Sequence, residues 1–263
     1  MKYVLITGAY GGMGRKAAEY FSERGFSVFA LDKKVGEGSE NVIPIEADVT
    51  NEESVAAAFE KVSALTDDLF AIVHFAGIYS LDSLVEMTRE EFERSFRVNV
   101  FGSYLVNKTF LPMLRRGSRI VITTSELATL SPLPFTGIYA VTKSALDKYA
   151  YSLAMELQLL GISVSVLRAG AVDTGMLRVS TDALARFCEK TELYECNAKR
   201  FRAIVDKVES RRVPPAKIAE KIMKIVKKKH PRFGYSINRN PLLLLLDAMP
   251  DRLRFYIIRK LLK

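Results

Sequence analysis

The chain has 263 residues, of which 49% are hydrophobic and 26% are charged, and its formal net charge is +9. A chain of this length forms either one large α/β domain or two small ones. Its longest leucine run, residues 242–246, is far shorter than the roughly 18 apolar residues of a membrane span, so a soluble protein is predicted.

The first residues, MKYVLITG, pass directly from Met into an apolar strand. They leave no room for the charged and apolar regions of a signal peptide, so a cytoplasmic location is predicted. The two cysteines, Cys188 and Cys196, have neither metal-ligand companions nor a disulfide framework around them. We therefore predict reduced thiols and no metal site.

Short β-branched runs alternate with helical patterns along the chain. Strands are predicted at residues 3–6, 27–31, 41–45, 69–75, 119–124 and 162–167, helices at residues 13–24, 51–64, 88–114 and 139–160, and a seventh strand near residues 232–237. This alternation is typical of βαβ units. We therefore predict an α/β fold of the Rossmann type, with a doubly wound, seven-stranded parallel sheet, helices on both faces and a single domain over residues 1–263.

Two segments depart from this alternation. Residues 175–212 form a charged, helical insertion, predicted to cover a substrate because ligands of open α/β sheets bind beyond the carboxyl ends of the strands. Residues 240–263 form a basic, leucine-rich C-terminal extension. Such an extension can contact a membrane face, or it can pack over the pocket or against another subunit.

Cations concentrate toward the C-terminus, since residues 199–263 contain 19 Lys/Arg and 5 Asp/Glu. Charge asymmetry of this kind can indicate nucleic acid or an anionic membrane. No finger, homeodomain or RNP pattern accompanies the cations, so nucleic acid is not a predicted partner.

A glycine-rich turn follows the first strand. In VLITGAYGGMG, Gly8, Gly11, Gly12 and Gly14 stand between that strand and a helix. Glycine permits the sharp turn and the close approach of a pyrophosphate, which the helix N-terminus can bind. The turn therefore predicts a dinucleotide site.

The end of the second strand bears on the choice of cofactor. Asp32 can accept hydrogen bonds from the adenosine ribose and would repel a 2′-phosphate, which favours NAD. The neighbouring Lys33 and Lys34 could instead bind that phosphate, so NADP stays possible.

Three Tyr–Lys pairs share a four-residue spacing. They are Tyr104 and Lys108, Tyr139 and Lys143, and Tyr256 and Lys260. Only the second pair begins a helix after a strand that ends in a serine, Ser125. Lys143 lies one helical turn from Tyr139 and is expected to lower its pKa from about 10 toward 7. Tyr104 is predicted to pack in the core with Lys108 solvated, and the third pair belongs to the extension.

Together these motifs resemble the short-chain dehydrogenase/reductase family over nearly the whole chain. TGAYGGMG is similar to the family's T-G-x3-G-x-G turn, ADVT to its adenine-contacting segment, HFAG to its N-N-A-G, VNVFG to its asparagine-bearing helix, YAVTK to its Tyr–Lys motif and RAGAVDT to its P-G-x-V-x-T segment. The resemblance implies hydride transfer between a nicotinamide and an alcohol or carbonyl, in a homodimer or homotetramer.

The resemblance also implies the site residues. Tyr139 is then the general acid/base, and Lys143 lowers its pKa and binds the ribose. Ser125 donates a hydrogen bond to the substrate oxygen, and Asn99 binds a water beside Lys143. The cofactor-binding residues are Thr7, Gly8, Gly12, Met13, Gly14, Asp32, Asp48, Val49, Ala76, Gly77, Tyr139, Lys143, Val172 and Thr174.

Three departures from the family pattern stand beside these matches. His74 and Phe75 replace the two asparagines of the strand-four motif, and Ala169 replaces a proline. Ser125 precedes Tyr139 by 14 positions, where 13 is commoner. None of them removes a proton-transfer group.

An apolar inner face of the insertion, formed by Met176, Leu177, Leu184 and Phe187, would suit a lipophilic substrate. With the long extension, it loosely resembles the hydroxysteroid and retinol dehydrogenase branch, so a hydroxysteroid-like alcohol or ketone is predicted. The alternatives are a small polar carbonyl, or a dinucleotide sensor or scaffold without turnover. An enoyl reductase is disfavoured, because that related group separates its Tyr and Lys more widely.

Overall fold

The computed structural model describes residues 2–208 and 212–263, except for the side chains of residues 175–181 and 206–208. The strands are β1 (Lys2–Thr7), β2 (Phe26–Asp32), β3 (Val42–Glu46), β4 (Leu69–His74), β5 (Leu114–Ser125), β6 (Ser163–Ala169) and β7 (Gly234–Ile237). They form one parallel sheet in the order β3-β2-β1-β4-β5-β6-β7. This order changes direction between β1 and β4, as in a doubly wound fold, and confirms the predicted Rossmann-type sheet.

Helices connect the strands and continue after the last one. They are α1 (Gly12–Ser22), α2 (Glu52–Ser63), α3 (Arg89–Phe96), α4 (Gly102–Phe110), α5 (Gly137–Leu157), α6 (Gly175–Lys190), α7 (Glu195–Val208), α8 (Pro215–Val226), α9 (Pro241–Asp247) and α10 (Asp251–Leu262). Asn51 caps α2 by accepting a hydrogen bond from Ser54 N at 2.7 Å, in agreement with the predicted start.

The helix predicted over residues 88–114 is divided in the structure. It begins at a capping box formed by Thr88 and Glu91, and a π-helical turn over Arg97–Phe101 separates α3 from α4. The hydrophobic period alone does not reveal such a turn, because it adds one residue to the helix without changing its direction. Turns of this kind occur frequently at functional sites.

Helices cover both faces of the sheet. On one face, α2, α4 and α5 bury Val55, Val106 and Leu146 against the strands. On the other face, α1 and α8 bury Phe21 and Ile222. The sheet is therefore fixed between two apolar layers, which leaves the carboxyl edge of its strands for ligands.

The insertion and the C-terminal extension form a third apolar cluster above that edge. Its buried members are Leu81, Ala183, Leu184, Phe187, Ala198, Phe201 and Leu262. Leu184 and Phe187 therefore face inward as predicted, while the side chains of Met176 and Leu177 lie outside the described residues. No helix in the described part of the chain is long and apolar enough to cross a bilayer.

His74 supports the centre of the sheet in place of the asparagine of the family motif. Its Nε2 lies 2.8 Å from Oδ1 of Asn107, whose amide donates to the Tyr149 hydroxyl at 3.1 Å. The Thr7 hydroxyl lies 3.5 Å from the other ring nitrogen. Since Asn107 Oδ1 can only accept, the ring carries its proton on Nε2. A neutral imidazole thus links β1 and β4 to α4 and α5.

We expect His74→Asn to remove one acid-sensitive contribution to stability. Burial lowers the pKa of His74 to about 4, against the opposing hydrogen bond with Asn107. The unfolded chain binds this proton near pH 6.5, so the free energy of unfolding falls as the pH decreases from 6.5 to 4, by about 3 kcal/mol in all. Denaturant unfolding of both proteins between pH 7 and pH 4 measures the difference.

The exposed His230 provides the matched control. The His230→Asn variant should lose stability on acidification as steeply as the wild-type protein. Equal slopes for His74→Asn and the wild-type protein would show that His74 does not remain neutral in the folded state.

Candidate active site

A cleft of about 1380 Å³ runs along the carboxyl edge of β1, β2 and β4. Ten of the predicted site residues line it: Gly8, Gly12, Met13, Gly14, Asp32, Asp48, Val49, Ala76, Gly77 and Thr174. The turn after β1 forms its floor, and α1 begins at Gly12 with its free N–H groups beside the cleft. This is the arrangement that binds a pyrophosphate in a Rossmann-type sheet.

Several glycines around the cleft, in the turn and in the loop after β4, stand where a Cβ would meet other atoms closely. Gly8 has a φ of +65°, and a Cβ there would lie 2.6 Å from Ala76 N. A Cβ on Gly12 would lie 2.7 Å from Cβ of Thr174. A Cβ on Gly77 would lie 3.1 Å from Oδ1 of Asn99 and 3.4 Å from Nζ of Lys143. These close approaches pack the turn and the loop after β4 tightly against their neighbours, and the cleft of about 1380 Å³ beside them is large enough for an extended dinucleotide.

Asp32 and its neighbours form the outer end of the cleft. The Asp32 carboxylate accepts hydrogen bonds from Tyr10 N at 2.9 Å and from Lys33 N at 2.7 Å. The Lys33 ammonium donates to Asp48 at 2.7 Å, and this bond lowers the pKa of Asp48 to about 2. One of the two lysines that could neutralise a 2′-phosphate is therefore engaged by an acid.

Tyr139 lies on the first turn of α5 and is buried, and Lys143 follows one turn later, also buried. The Lys143 Nζ lies 5.8 Å from the centre of the Tyr139 ring and donates to Thr123 O at 3.4 Å. Ser125 ends β5 close enough to Tyr139 to lower the pKa of its hydroxyl, and its Oγ accepts a hydrogen bond from Leu127 N at 3.2 Å. The fold thus brings together the three groups that the sequence placed 14 and four positions apart.

This combination of cleft, turn and Ser–Tyr–Lys group agrees with the comparison of the sequence with known families. The short chain dehydrogenase family matches residues 2–185. The chain belongs to the short-chain dehydrogenase/reductase family. Its members are oxidoreductases that act on alcohols or ketones with NAD or NADP.

Two relatives illustrate the range of this family. The 3-ketodihydrosphingosine reductase of Bacteroides thetaiotaomicron is 29% identical over 97% of this chain and 96% of its own length. Estradiol 17-beta-dehydrogenase 2 of Mus musculus is 34% identical over 66% of this chain, but this chain spans only about half of it, 49%. A short-chain dehydrogenase of Burkholderia cenocepacia, solved in complex with NADP, covers all of both chains at 20% identity with a TM-score of 0.74.

In this short-chain dehydrogenase/reductase, burial changes the pKa values of the pair. Burial raises the pKa of Tyr139 above its ordinary value, the adjacent Tyr79 raises it further, and the hydrogen bond with Ser125 opposes both. Burial lowers the pKa of Lys143 to about 8. The prediction that Lys143 lowers the pKa of Tyr139 is therefore wrong for this structure, because burial outweighs the effect of a cation one helical turn away. The phenol is held in the protonated form, which can donate a proton.

Asn99 lies buried in the π-helical turn, beside the residues that precede Tyr79. Its Oδ1 accepts from Ile78 N at 2.8 Å, and its Nδ2 donates to Ile78 O at 3.0 Å and to the Thr142 hydroxyl at 3.1 Å. These bonds hold the loop after β4 against α5, next to Lys143. The water assigned to Asn99 from the sequence stays a prediction.

The remaining predicted residues lie at the margins of the cleft. Thr7 is fully buried, and its hydroxyl accepts from Ala76 N at 3.3 Å, which supports the loop beneath the cofactor position. Val172 is buried and forms a parallel bridge with Val213. Thr174, which lines the cleft, stands at the N-cap of α6 without a capping hydrogen bond from its side chain.

The sequence did not predict a group of aromatic side chains near Tyr139, here called the aromatic cover: Tyr79, Phe135 and Phe187. The Tyr79 ring lies 4.8 Å from the Tyr139 ring. Phe135 has a φ of +66° and contacts rings of the insertion, with 4.6 Å between the centres of Phe135 and Phe187. The only sequence signal was that Tyr79 follows the HFAG motif by two residues. This cover gives the inner end of the cleft an apolar, aromatic wall.

The two other Tyr–Lys pairs lie away from this wall. Tyr104 is 40% exposed, so the prediction that it packs in the core is wrong; Lys108 is exposed as predicted. α4 lies at the surface at that turn, and Tyr104 packs edge-on against Tyr149 of α5. Tyr256 is also exposed, on α10.

Proposed function

We propose that this short-chain dehydrogenase/reductase interconverts a lipophilic ketone and its secondary alcohol with NAD, using Tyr139 as the general acid/base. The observation that carries the proposal is the buried Tyr139, whose ring centre lies 5.8 Å from Lys143 Nζ and 4.8 Å from the ring of Tyr79, a residue that lines the dinucleotide cleft. A sensor or scaffold would need the cleft but not these groups.

The chain's own residues have distinct parts in the proposed reaction. A bound nicotinamide cofactor would supply or accept the hydride. Tyr139 donates its proton to the carbonyl oxygen during reduction, and Ser125 donates a hydrogen bond to the same oxygen as its charge develops. With a pKa of about 8, Lys143 is largely protonated at neutral pH and stabilises the phenolate that results. Asn99 holds the loop that supports Gly77 beside Lys143.

The aromatic and aliphatic cover favours a lipophilic substrate. Tyr79, Leu81 and Phe187 line the cleft near Tyr139, and Phe187 belongs to the buried cluster of the insertion. The relative that matches 97% of the chain is named for a long-chain keto compound, and another is named for a steroid. We therefore place long-chain ketones beside the hydroxysteroids predicted from the sequence. The reduction of a small polar carbonyl is the competing outcome.

A substrate panel tests this proposal. Purified protein is incubated with NADH or NADPH and 3-ketodihydrosphingosine, ketosteroids, retinal, or short polar ketones and sugars, and nicotinamide absorbance is followed. We expect kcat/KM to be highest for one of the lipophilic carbonyls. Activity confined to sugars or small polar carbonyls would overturn the substrate class, and the absence of any turnover would favour the sensor.

Asp32→Ser should shift the cofactor preference toward NADP. The carboxylate removed by this change lies in the cleft, where it would accept hydrogen bonds from the ribose of NAD and repel a 2′-phosphate. We expect the ratio of kcat/KM for NADPH to that for NADH to rise at least about tenfold, which is the effect of roughly 1.4 kcal/mol. Steady-state kinetics with both cofactors measure it.

Glu46 lies opposite Asp32 on β3 and is exposed, so Glu46→Ser is the control for a general change of charge. It should leave the cofactor ratio unchanged. An unchanged ratio in Asp32→Ser, or an equal shift in both variants, would contradict the role of Asp32.

Assembly into a homodimer or homotetramer and a cytoplasmic location stay predictions, as does peripheral contact with a membrane through residues 240–263. The single domain over residues 1–263 is likewise proposed.

A further inference from the structure

The exposed half of α10 combines aromatic and cationic side chains. Phe255 is 69% exposed and Tyr256 is 58% exposed, and Arg252, Arg259 and Lys260 are exposed beside them. At 100° per residue these five side chains fall within one half of the helix circumference. We propose that this half, here called the tail face, docks the protein on the surface of an anionic lipid bilayer.

Both acidic side chains of the C-terminal extension form ion pairs. The extension contains two acids, Asp247 and Asp251, and both are bound by the buried Arg254. Arg252, Arg259 and Lys260 form no ion pair with any described residue, and Lys260 lies 5.7 Å from the Tyr256 ring. With five Lys/Arg against two Asp, the extension has a net positive charge, as a surface that binds anionic lipid requires.

Exposed apolar side chains of the extension supply the second element of an interfacial surface. Leu253 on α10 is 47% exposed, and Leu242 and Leu245 on the preceding α9 are 58% and 60% exposed. Exposed leucines and aromatic residues beside cations are typical of helices that lie in the bilayer interface. A second copy of the chain fits less well, since a symmetric contact between two tail faces would bring their cations together.

The helix that precedes the tail face, α9, is held next to the segment that follows Ser125. Asn240 N donates to the buried Glu126, which follows Ser125, at 2.7 Å. Ser131 N donates to Asp247 at 2.7 Å, so both ends of α9 are fixed to the segment between β5 and α5. Arg254, on the side of α10 opposite the tail face, binds Asp247, so α10 turns its buried side toward this segment and its tail face toward solvent.

The C-terminus of α10 is also joined to the insertion. Leu262 is buried in the third apolar cluster, and its carbonyl accepts from Asn197 Nδ2 of α7 at 2.6 Å. The extension thus bridges the segment that follows Ser125 and the cover of the cleft. If the proposed function is correct, docking would bring the protein to the bilayers that hold lipophilic ketones; the docking itself does not depend on it.

Vesicle sedimentation of the full chain tests the docking. The probes are vesicles of phosphatidylcholine alone and of phosphatidylcholine with phosphatidylserine. We expect binding to the anionic vesicles that falls with added salt, and at least about a tenfold loss of binding in Arg259→Glu/Lys260→Glu. Phe255→Ser/Tyr256→Ser should weaken binding to the same vesicles even at low salt.

The matched control is Lys228→Glu/Lys229→Glu. It makes the same change of charge at two exposed lysines that precede β7, at the opposite edge of the sheet from the extension. This variant should bind the anionic vesicles like the wild-type protein.

Three results would overturn the proposal: no binding to anionic vesicles, an equal loss in the control, or a dimer that dissociates in Phe255→Ser/Tyr256→Ser without any vesicle binding. Sedimentation requires no turnover, so a failure of the proposed ketone reduction would be seen separately in the substrate panel.

Discussion

Tyr139→Phe should lower kcat/KM for the preferred ketone by about 10² to 10⁴-fold, the usual contribution of a positioned general acid. The change removes the one hydroxyl that is placed to exchange a proton and keeps the ring that packs 4.8 Å from Tyr79. We expect the affinity for NADH to remain, because the cleft and its glycine turn are untouched. Absorbance kinetics and fluorescence titration with NADH measure the two quantities.

Tyr104→Phe is the control for this experiment. Tyr104 has the same four-residue spacing to a lysine and lies 5.8 Å from the Lys108 ammonium, but it is 40% exposed on α4. It should keep full activity. If Tyr139→Phe retained turnover, or if both variants lost it equally, Tyr139 would not be the proton donor.

The physical basis of the first prediction is the environment of the phenol. Burial keeps the pKa of Tyr139 above its ordinary value, so the hydroxyl stays protonated at neutral pH. The pKa of Lys143 is lowered to about 8, which leaves its ammonium largely charged at pH 7. The protonated Tyr139 can donate its proton directly during ketone reduction. Alcohol oxidation requires the phenolate of Tyr139, so the rate of oxidation should increase as the pH rises.

The alternation of apolar strands and amphipathic helices predicted the fold well, because the central strands are buried on both faces and the helices that cover the sheet, such as α1 and α8, are buried on one. The main difference between the predicted and the observed strands is the start of β5. It begins at Leu114, not at residue 119, and its register against β4 shifts between Leu69 and Ala71. Gly117, with a φ of +97°, lies within these added residues. An irregular strand start of this kind carries no period-two signal.

The site was predictable where it depends on local motifs and not where it depends on packing between distant segments. The glycine turn and the spacing of Tyr139 and Lys143 are properties of single elements. The contact of Tyr79 with Tyr139, the closure of Phe187 over Phe135 and the bond between Asn240 and Glu126 join residues far apart in sequence. No pattern within one element specifies such contacts.

The turn itself provides the second large effect. Gly14→Ala should reduce the affinity for NAD at least about 100-fold, because displacement of a binding element by roughly 1 Å is enough for such a loss. A Cβ on Gly14 would lie 2.0 Å from the carbonyl oxygen of Gly8 and 2.9 Å from Cα of Ala9. Both contacts are with backbone, so no side-chain rotation relieves them, and the start of α1 must move away from the turn.

Gly11→Ala separates this clash from a general intolerance of alanine in the turn. Gly11 has a φ of −72°, and its Cβ would meet only the Gly8 carbonyl oxygen, at 3.3 Å. The Gly11→Ala variant should retain most of the wild-type affinity for NAD. Circular dichroism and thermal unfolding of both variants distinguish a displaced turn in a folded protein from loss of the fold, and calorimetric titration gives the affinities. Wild-type affinity in a folded Gly14→Ala protein would refute the placement of the pyrophosphate at this helix N-terminus.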